Sequence, residues 1–252
     1  MLLAIDIGNT RIKAAVFEGN TLLETMIFKE LELQKNIETI LKTYTTVTDL
    51  VIASVRNVDN ETFLSWNTAV NIHFVTHEMS FPFQNSYATP LTLGIDRMVL
   101  AAGAVLQFPK QNKLIIDAGT CITYDFVDEN DYYLGGAISP GIRLRYESLH
   151  QFTAHLPLLT LENAIQGENE KSKINLTGNS TQQSIHSGVI NGIVNEIDGF
   201  INQYQEQYSN FIIILTGGDT EFLAKRLKNT IFANSNFLLE SLNKIYQYKT
   251  KK

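Results

Sequence analysis

Positive charge and cysteine are both scarce in this sequence. Twenty lysines and arginines stand against 26 acidic residues, a net charge of −6. Such a chain lacks the electrostatic footprint of a general nucleic-acid or anionic-membrane surface, so neither partner is expected. A single cysteine, Cys121, excludes a disulfide within the chain and leaves a cysteine-built zinc site without ligands. No apolar run approaches the ~18 residues that would cross a bilayer. The N-terminus opens on the strand-like run Leu2 to Ile5, without a charged leader or a small-residue cleavage site. No signal peptide is expected, and the cytoplasm is the expected compartment. The Asn-x-Ser/Thr sequons at Asn60, Asn175 and Asn179 therefore carry no weight. Neither GxxxxGK nor GxGxxG is present, so the nucleotide folds built on those loops lose support. There is no low-complexity segment. The basic tail Lys244 to Lys252 reads as a solvated end.

What is present is an ordinary globular composition, 44% hydrophobic and 18% charged over 252 residues. At that length about 70–75% of the unfolded surface can be buried. Met1 to Phe17 reads as two strands around the turn Gly8-Asn9, and Thr21 to Phe28 as a third. Leu33, Ile37, Ile40 and Leu41 mark an amphipathic helix within Leu31 to Tyr44. Asp49 to Val55 is a buried strand, Asn60 to Asn71 a helix, Ile72 to Thr76 a strand, and Gly94 to Leu106 a helix. A similar order then restarts. Strands are expected at Lys113 to Asp117, Ile122 to Val127 and Tyr132 to Ala137, with Gly135 to Gly141 as a rigid turn. A helix is expected within Ile138 to Leu156, and a long one over Thr181 to Tyr208. A buried strand, Phe211 to Leu215, leads through Thr216-Gly217-Gly218-Asp219 to a helix over Glu221 to Leu227. The polar stretch Gly167 to Asn179 reads as the mobile loop.

The repeat is the informative feature. Asp6-x-Gly8 recurs as Asp117-x-Gly119, 111 residues later, each between two strands. Each half later carries a buried strand, VIASV and IIIL. Two like-folded α/β lobes facing a cleft are expected, 1–110 and 111–252. In the first loop Gly8 allows close backbone approach, Asn9-Thr10 form the turn, and Thr10 adds a hydroxyl donor. Asp6 can hold Mg²⁺ through its water shell, and Lys13 can reach phosphate oxygens. The second loop, Asp117 to Thr120, repeats that logic with a second carboxylate for a cation. Its Cys121 reads as a small loop residue and not a nucleophile. Thr216 to Asp219 suits an adenine or ribose, although a strand-to-helix turn explains it equally well. Gly94-Ile95-Asp96-Arg97 sets a carboxylate beside a guanidinium at a helix start. That is either a helix cap with an exposed arginine or a general base beside an anion clamp, which is most of what phosphoryl transfer to an alcohol requires. His73 and His77, four apart but on a strand-like segment, do not read as metal ligands.

Together DIGNTRIK (6–13), GIDR (94–97), DAGTC (117–121), GGAISPG (135–141) and TGGD (216–219) resemble type III pantothenate kinase, in the family's order and across nearly the whole chain. The resemblance implies a duplicated actin-like ATPase fold, related to ribonuclease H, with two mixed-sheet lobes around a cleft. It implies ATP-dependent phosphorylation of pantothenate to 4′-phosphopantothenate. By resemblance, Asp6, Ile7, Gly8, Asn9, Thr10, Arg11, Ile12 and Lys13 bind ATP phosphates together with Thr120. Asp96 accepts the proton; Gly94, Ile95, Asp96 and Arg97 bind pantothenate, joined by Tyr87 and Thr181. Asp117 holds a required monovalent cation, K⁺ or NH₄⁺, and Mg²⁺ accompanies ATP. The family is a homodimer whose pantothenate pocket is completed at the subunit interface. Cys121 departs from the family's usual small residue there. A sugar or N-acetylhexosamine kinase of the same fold, and a non-catalytic ATP-binding regulatory relative, are the alternatives.

Overall fold

The computed structural model describes residues 1–56, 63, 66, 70–165 and 174–250. Its strands are β1 (Leu2–Ile7), β2 (Ile12–Glu18), β3 (Thr21–Phe28), β4 (Asp49–Ser54), β5 (Asn71–Phe74), β6 (Gln84–Asn85), β7 (Asn112–Ala118), β8 (Cys121–Val127), β9 (Tyr132–Pro140), β10 (Phe211–Thr216) and β11 (Phe232–Ala233). Its α-helices are α1 (Leu33–Thr43), α2 (Ile95–Gln107), α3 (Ile142–Gln151), α4 (Leu161–Ile165), α5 (Thr181–His186), α6 (Gly192–Gln207), α7 (Thr220–Ala224) and α8 (Phe237–Thr250). A π turn, Ser187–Asn191, joins α5 to α6. The chain divides into two compact units. One comprises Met1–Lys110, Phe126–Gly135 and Asn236–Lys252; the other comprises Gln111–Asp125 and Gly136–Ser235.

In the first unit a mixed sheet runs β3-β2-β1-β4-β5. β1 pairs antiparallel with β2 and parallel with β4, and β4 pairs parallel with β5. β1 is buried at every residue, as an apolar run covered on both faces must be. Leu3, Ile5 and Ile7 share a core with Leu33, Ile37 and Ile40 of α1 and with Phe63 and Trp66. α8 lies against α2, β1, β2 and β4. Gly103 of α2 sits so close to α8 that a Cβ there would fall 1.8 Å from the Ser241 hydroxyl.

In the second unit the order is β9-β8-β7-β10-β11, with β7 parallel to β10 and β10 parallel to β11. This repeats β3-β2-β1-β4-β5 strand for strand. The two-residue connection between β7 and β8 admits only an antiparallel pair, as for β1 and β2. Asp6 and Asp117 therefore stand on equivalent strands, and VIASV and IIIL are the equivalent strands β4 and β10. Residues 126–135, the far part of the β8–β9 connection, belong to the first unit, where β6 pairs parallel with β9.

Several local expectations change. Gly135 to Gly141 is not a turn: β9 continues through Pro140. A Cβ on Gly136 would fall 1.5 Å from the Tyr124 carbonyl oxygen, so the glycine serves strand pairing, and Pro140 ends the strand where no further donor is needed. The helix expected over Thr181 to Tyr208 is interrupted by the π turn. The helix expected over Glu221 to Leu227 is the single turn α7. Residues 244–250 of the stretch expected to be a solvated basic tail form the end of α8, whose Leu239, Leu242 and Ile245 are buried. Only Phe63, Trp66, Val70 and Asn71 of the stretch near Asn60 to Asn71 are described, so most of that helix lies outside the described residues, as do Asn60 and the segment 167–173.

Candidate active site

The first loop is the hairpin connection 8–11. The Gly8 N–H donates to the Arg11 carbonyl at 3.2 Å, which closes the turn and leaves Asn9, Thr10 and Arg11 exposed at its crest. The β1–β2 register sets Asp6 directly opposite Lys13, and residues so paired project from the same face. Asp6 is 8% exposed, and its Oδ2 lies 3.9 Å from where a Gly8 Cβ would sit. Arg56, just past β4, donates from Nη2 to the Asn9 carbonyl and pairs through Nη1 with Glu30 at 2.7 Å. Sequence reasoning missed this clasp. Asn9 and Arg56 are 47 residues apart, and only the parallel pairing of β1 with β4 brings the two strand ends together.

Gly94 caps α2, and the Asp96 carboxylate folds back over it. A Cβ on Gly94 would fall 2.4 Å from Asp96 Oδ1, so only glycine admits this rotamer. Asp96 Oδ1 accepts from the Arg97 backbone N–H at 2.8 Å. Burial pushes the Asp96 carboxyl above its ordinary value, and the Arg97 N–H and charge only partly pull it back. Arg97 is 5% exposed, and its guanidinium stands 5.7 Å from the centre of the Tyr87 ring. Such cation–π contact is worth more in a desolvated setting than at a surface. Gly135, at φ +100°, packs beneath the same ring; a Cβ there would lie 3.3 Å from Tyr87 Cδ2. Tyr87, Asp96 and Arg97 thus form one cluster of the first unit. His73 and His77 are engaged separately, His73 with Asp49 Oδ1 at 2.9 Å and His77 with the Leu93 carbonyl at 2.8 Å.

The second loop is tighter. Its Gly119 N–H donates to the Cys121 carbonyl at 2.9 Å, one residue nearer than the Gly8–Arg11 closure. Two neighbours enclose it. The β7–β10 register pairs Asp117 with Thr216, so Thr216 to Asp219 lies alongside, and the Asp219 N–H donates to the Ala118 carbonyl at 3.0 Å. Gly217, at φ +99°, packs tightly against Asp117 and Ala118; a Cβ there would fall 2.4 Å from Asp117 Oδ1 and 2.3 Å from the Ala118 oxygen, so only glycine fits. On another side the Gly141 N–H donates to the Thr120 carbonyl at 3.1 Å. The Asp117 carboxylate and the Ala118 carbonyl are hard oxygen donors, the kind an alkali cation or Mg²⁺ takes. The motifs DAGT, TGGD and the end of GGAISPG, distant in sequence, therefore meet in one place.

Thr181 opens α5, capped by Ser180, whose hydroxyl accepts from the Gln183 N–H at 3.3 Å. It lines a groove of about 750 Å³ with Leu149, Leu156, Asn179 and Ser184. A second groove, about 470 Å³, adjoins TGGD between Thr220, Lys225 and Asn234.

The profile of the type III pantothenate kinase family matches residues 2–203. A type III pantothenate kinase of Flavobacterium johnsoniae is 66% identical over 99% of this chain and 98% of its own, and one of Flavobacterium psychrophilum is 60% identical over 99% of this chain and all of its own. Among solved structures, a conserved Campylobacter jejuni protein described as a candidate Baf family transcriptional activator superposes with a TM-score of 0.63 at 21% identity, covering 99% of this chain and 100% of that one. A Listeria monocytogenes protein described as a candidate N-acetylmannosamine kinase gives 0.57 at 13% identity, covering 99% of each. At such identities these structures speak for the fold alone, which is that of the actin-like ATPases. With its motifs in place along nearly its whole length, the chain belongs to the type III pantothenate kinase family.

Proposed function

We propose that this protein transfers the γ-phosphoryl group of ATP to pantothenate, giving 4′-phosphopantothenate and ADP, the first step of coenzyme A biosynthesis. The observation that carries the reading is full-length identity of 66% to a type III pantothenate kinase. The buried carboxyl of Asp96 beside Arg97 and Tyr87 supports it chemically.

Phosphoryl transfer to an alcohol asks the protein for positioning, charge and one proton acceptor. Asp96 takes the hydroxyl proton; a carboxylate whose pKa burial has raised is a better base than a surface aspartate. Gly94, Ile95 and Arg97 hold pantothenate, Arg97 pairing its carboxylate while the Tyr87 ring fixes the guanidinium. Thr181 is assigned to pantothenate as well. The crest of residues 8–11, with Lys13 behind it, receives the phosphates, and Thr120 adds a donor. Adenosine is assigned to the groove beside Thr216 to Asp219. Mg²⁺ bound with ATP, and K⁺ or NH₄⁺ at Asp117, supply charge that offsets the phosphates in a site with few lysines; Asp6, through water, is assigned to the first.

A homodimer that completes the pantothenate pocket belongs to the same proposal. It is supported by exposed apolar residues of the second unit, Phe152 at 79% and Leu176 at 78%. Among the described residues no helix is long and apolar enough to cross a membrane.

The test is turnover by pure protein with ATP, Mg²⁺ and pantothenate, with and without K⁺ or NH₄⁺, read as 4′-phosphopantothenate by mass spectrometry. Absence of product under all these conditions sinks the assignment. Preference for an N-acetylhexosamine in a panel of hydroxylated acceptors would favour a sugar kinase, and tight ATP binding without turnover a regulatory protein. Asp117→Asn is expected to abolish cation stimulation.

A further inference from the structure

We infer that Glu196 is a positioning residue for the second phosphate loop, Asp117 to Thr120, acting through Arg145 and the Pro140–Gly141 backbone. The inference rests on the reading of that loop as an ATP contact.

Glu196 stands on α6, and its carboxylate is filled by three donors. Oε1 accepts from the Tyr124 hydroxyl at 2.9 Å and the Ser139 hydroxyl at 2.6 Å, and Oε2 accepts from Arg145 Nη2 at 2.6 Å. Burial alone would push this carboxyl up; the three donors and the Arg145 charge outweigh it and hold the group below its usual range. One ionised side chain therefore ties β8, the end of β9 and α3 to α6. Such a charge-assisted set is stronger than neutral hydrogen bonds and fixes direction as well.

The consequence lies at the end of β9. Pro140 has no N–H, so its backbone can be held only through its carbonyl, and Arg145 Nε donates to that carbonyl at 2.8 Å. Arg145 is in turn aimed by Glu196. The next residue, Gly141, bears directly on the loop. Its N–H donates to the Thr120 carbonyl at 3.1 Å, and a Cβ on it would fall 2.2 Å from the Gly119 oxygen. With no clearance between them, the position of Gly141 is the position of Gly119 and Thr120. Releasing Arg145 from Glu196 frees Pro140–Gly141 and lets the loop drift from the phosphates it is read to touch.

A purely structural ion pair would lower stability without distinguishing the two substrates. The experiment therefore measures ATP and pantothenate KM, kcat and thermal midpoint for wild type, Glu196→Gln, Arg145→Lys, Thr120→Val and the double variant Glu196→Gln/Thr120→Val. Glu196→Gln is expected to raise the ATP KM about tenfold while the pantothenate KM stays within about twofold, the scale of a sub-ångström misplacement. Arg145→Lys keeps the charge but loses the fork that joins Glu196 to Pro140, and it is expected to match; it decides the matter if Glu196→Gln does not fold. The double variant is expected to be little worse than Thr120→Val alone, because both act on one contact. If Thr120→Val raises the ATP KM but the folded Glu196 and Arg145 variants do not, the inference falls and the loop reading stands. Fully additive effects likewise overturn the inference. If Thr120→Val leaves the ATP KM unchanged, the loop reading and the inference fall together.

Discussion

Gly141→Ala adds one methyl group, and the structure says where it goes. Gly141 has φ −70° and ψ 176°, a conformation open to alanine, so backbone strain contributes nothing. The penalty is contact alone. The new Cβ would fall 2.2 Å from the Gly119 oxygen, 2.7 Å from the Thr120 oxygen and 3.0 Å from the Thr120 carbonyl carbon. A carbon–oxygen approach becomes comfortable only near about 3.3 Å, so the loop or the end of β9 must retreat by roughly 1 Å. The neighbours are backbone and cannot swing aside as a side chain would. Overpacking of this kind costs about 1–3 kcal/mol of stability. A 1 Å displacement of a positioning element can cost about a hundredfold in rate, or about 2.7 kcal/mol in transition-state stabilisation. The expected result is kcat/KM for ATP about a hundredfold down, with a protein that still folds. Steady-state kinetics and circular-dichroism melting measure the two effects. Gly199→Ala is the control: it lies inside α6 with no atom within 4 Å of its added Cβ, and it should gain up to about 1 kcal/mol. Gly141→Ala enzyme with wild-type ATP kinetics would refute the reasoning, whatever its melting temperature.

Three other expectations are independent of that loop. Asp96→Asn should lower kcat by about 10²–10⁴-fold, and measurable wild-type kcat would remove Asp96 as the base. Because burial raises the Asp96 carboxyl above its ordinary 3.8, the acid limb of the wild-type pH–rate profile should lie above that value. The same shift makes the ionised form a cost to folding at neutral pH, a cost that disappears as pH falls through the folded value toward the unfolded one, so Asp96→Asn should melt higher than wild type at pH 7. Arg56→Ala, which releases the Asn9 carbonyl, should raise the ATP KM several-fold, whereas Glu30→Ala, which removes only an ion pair whose glutamate is 69% exposed, should change it little. Gly103→Ala should cost about 1–3 kcal/mol by forcing α2 from α8, with Ser241→Gly in the same chain restoring part of it, because the clash is chiefly with the Ser241 hydroxyl and Cβ; chemical denaturation measures both.

The chemistry of this chain is written locally, and so it could be read from sequence. Asp6-x-Gly8 and Asp117-x-Gly119 are each a strand, a turn and a strand in one short run, 2–18 and 112–127, and their recurrence announced a duplication that the sheets bear out as two matching strand orders. Asp96 and Arg97 are neighbours, so their joint presence at a helix start needed no tertiary information. The same locality explains the errors. β9 runs through Pro140 because Gly136 must lie against the Tyr124 carbonyl, a contact that turn residues read one by one do not reveal. α8 was hidden because lysines near its end resembled a solvated tail, while Leu239, Leu242 and Ile245 face a core made elsewhere. Tertiary structure alone decided that Arg56 clasps Asn9, that Gly217 packs against Asp117, and that Glu196 governs the end of β9. The first two depend on parallel strand pairing and the third on a helix side chain; each joins residues dozens to a hundred positions apart, and no local propensity records what will stand at the far end.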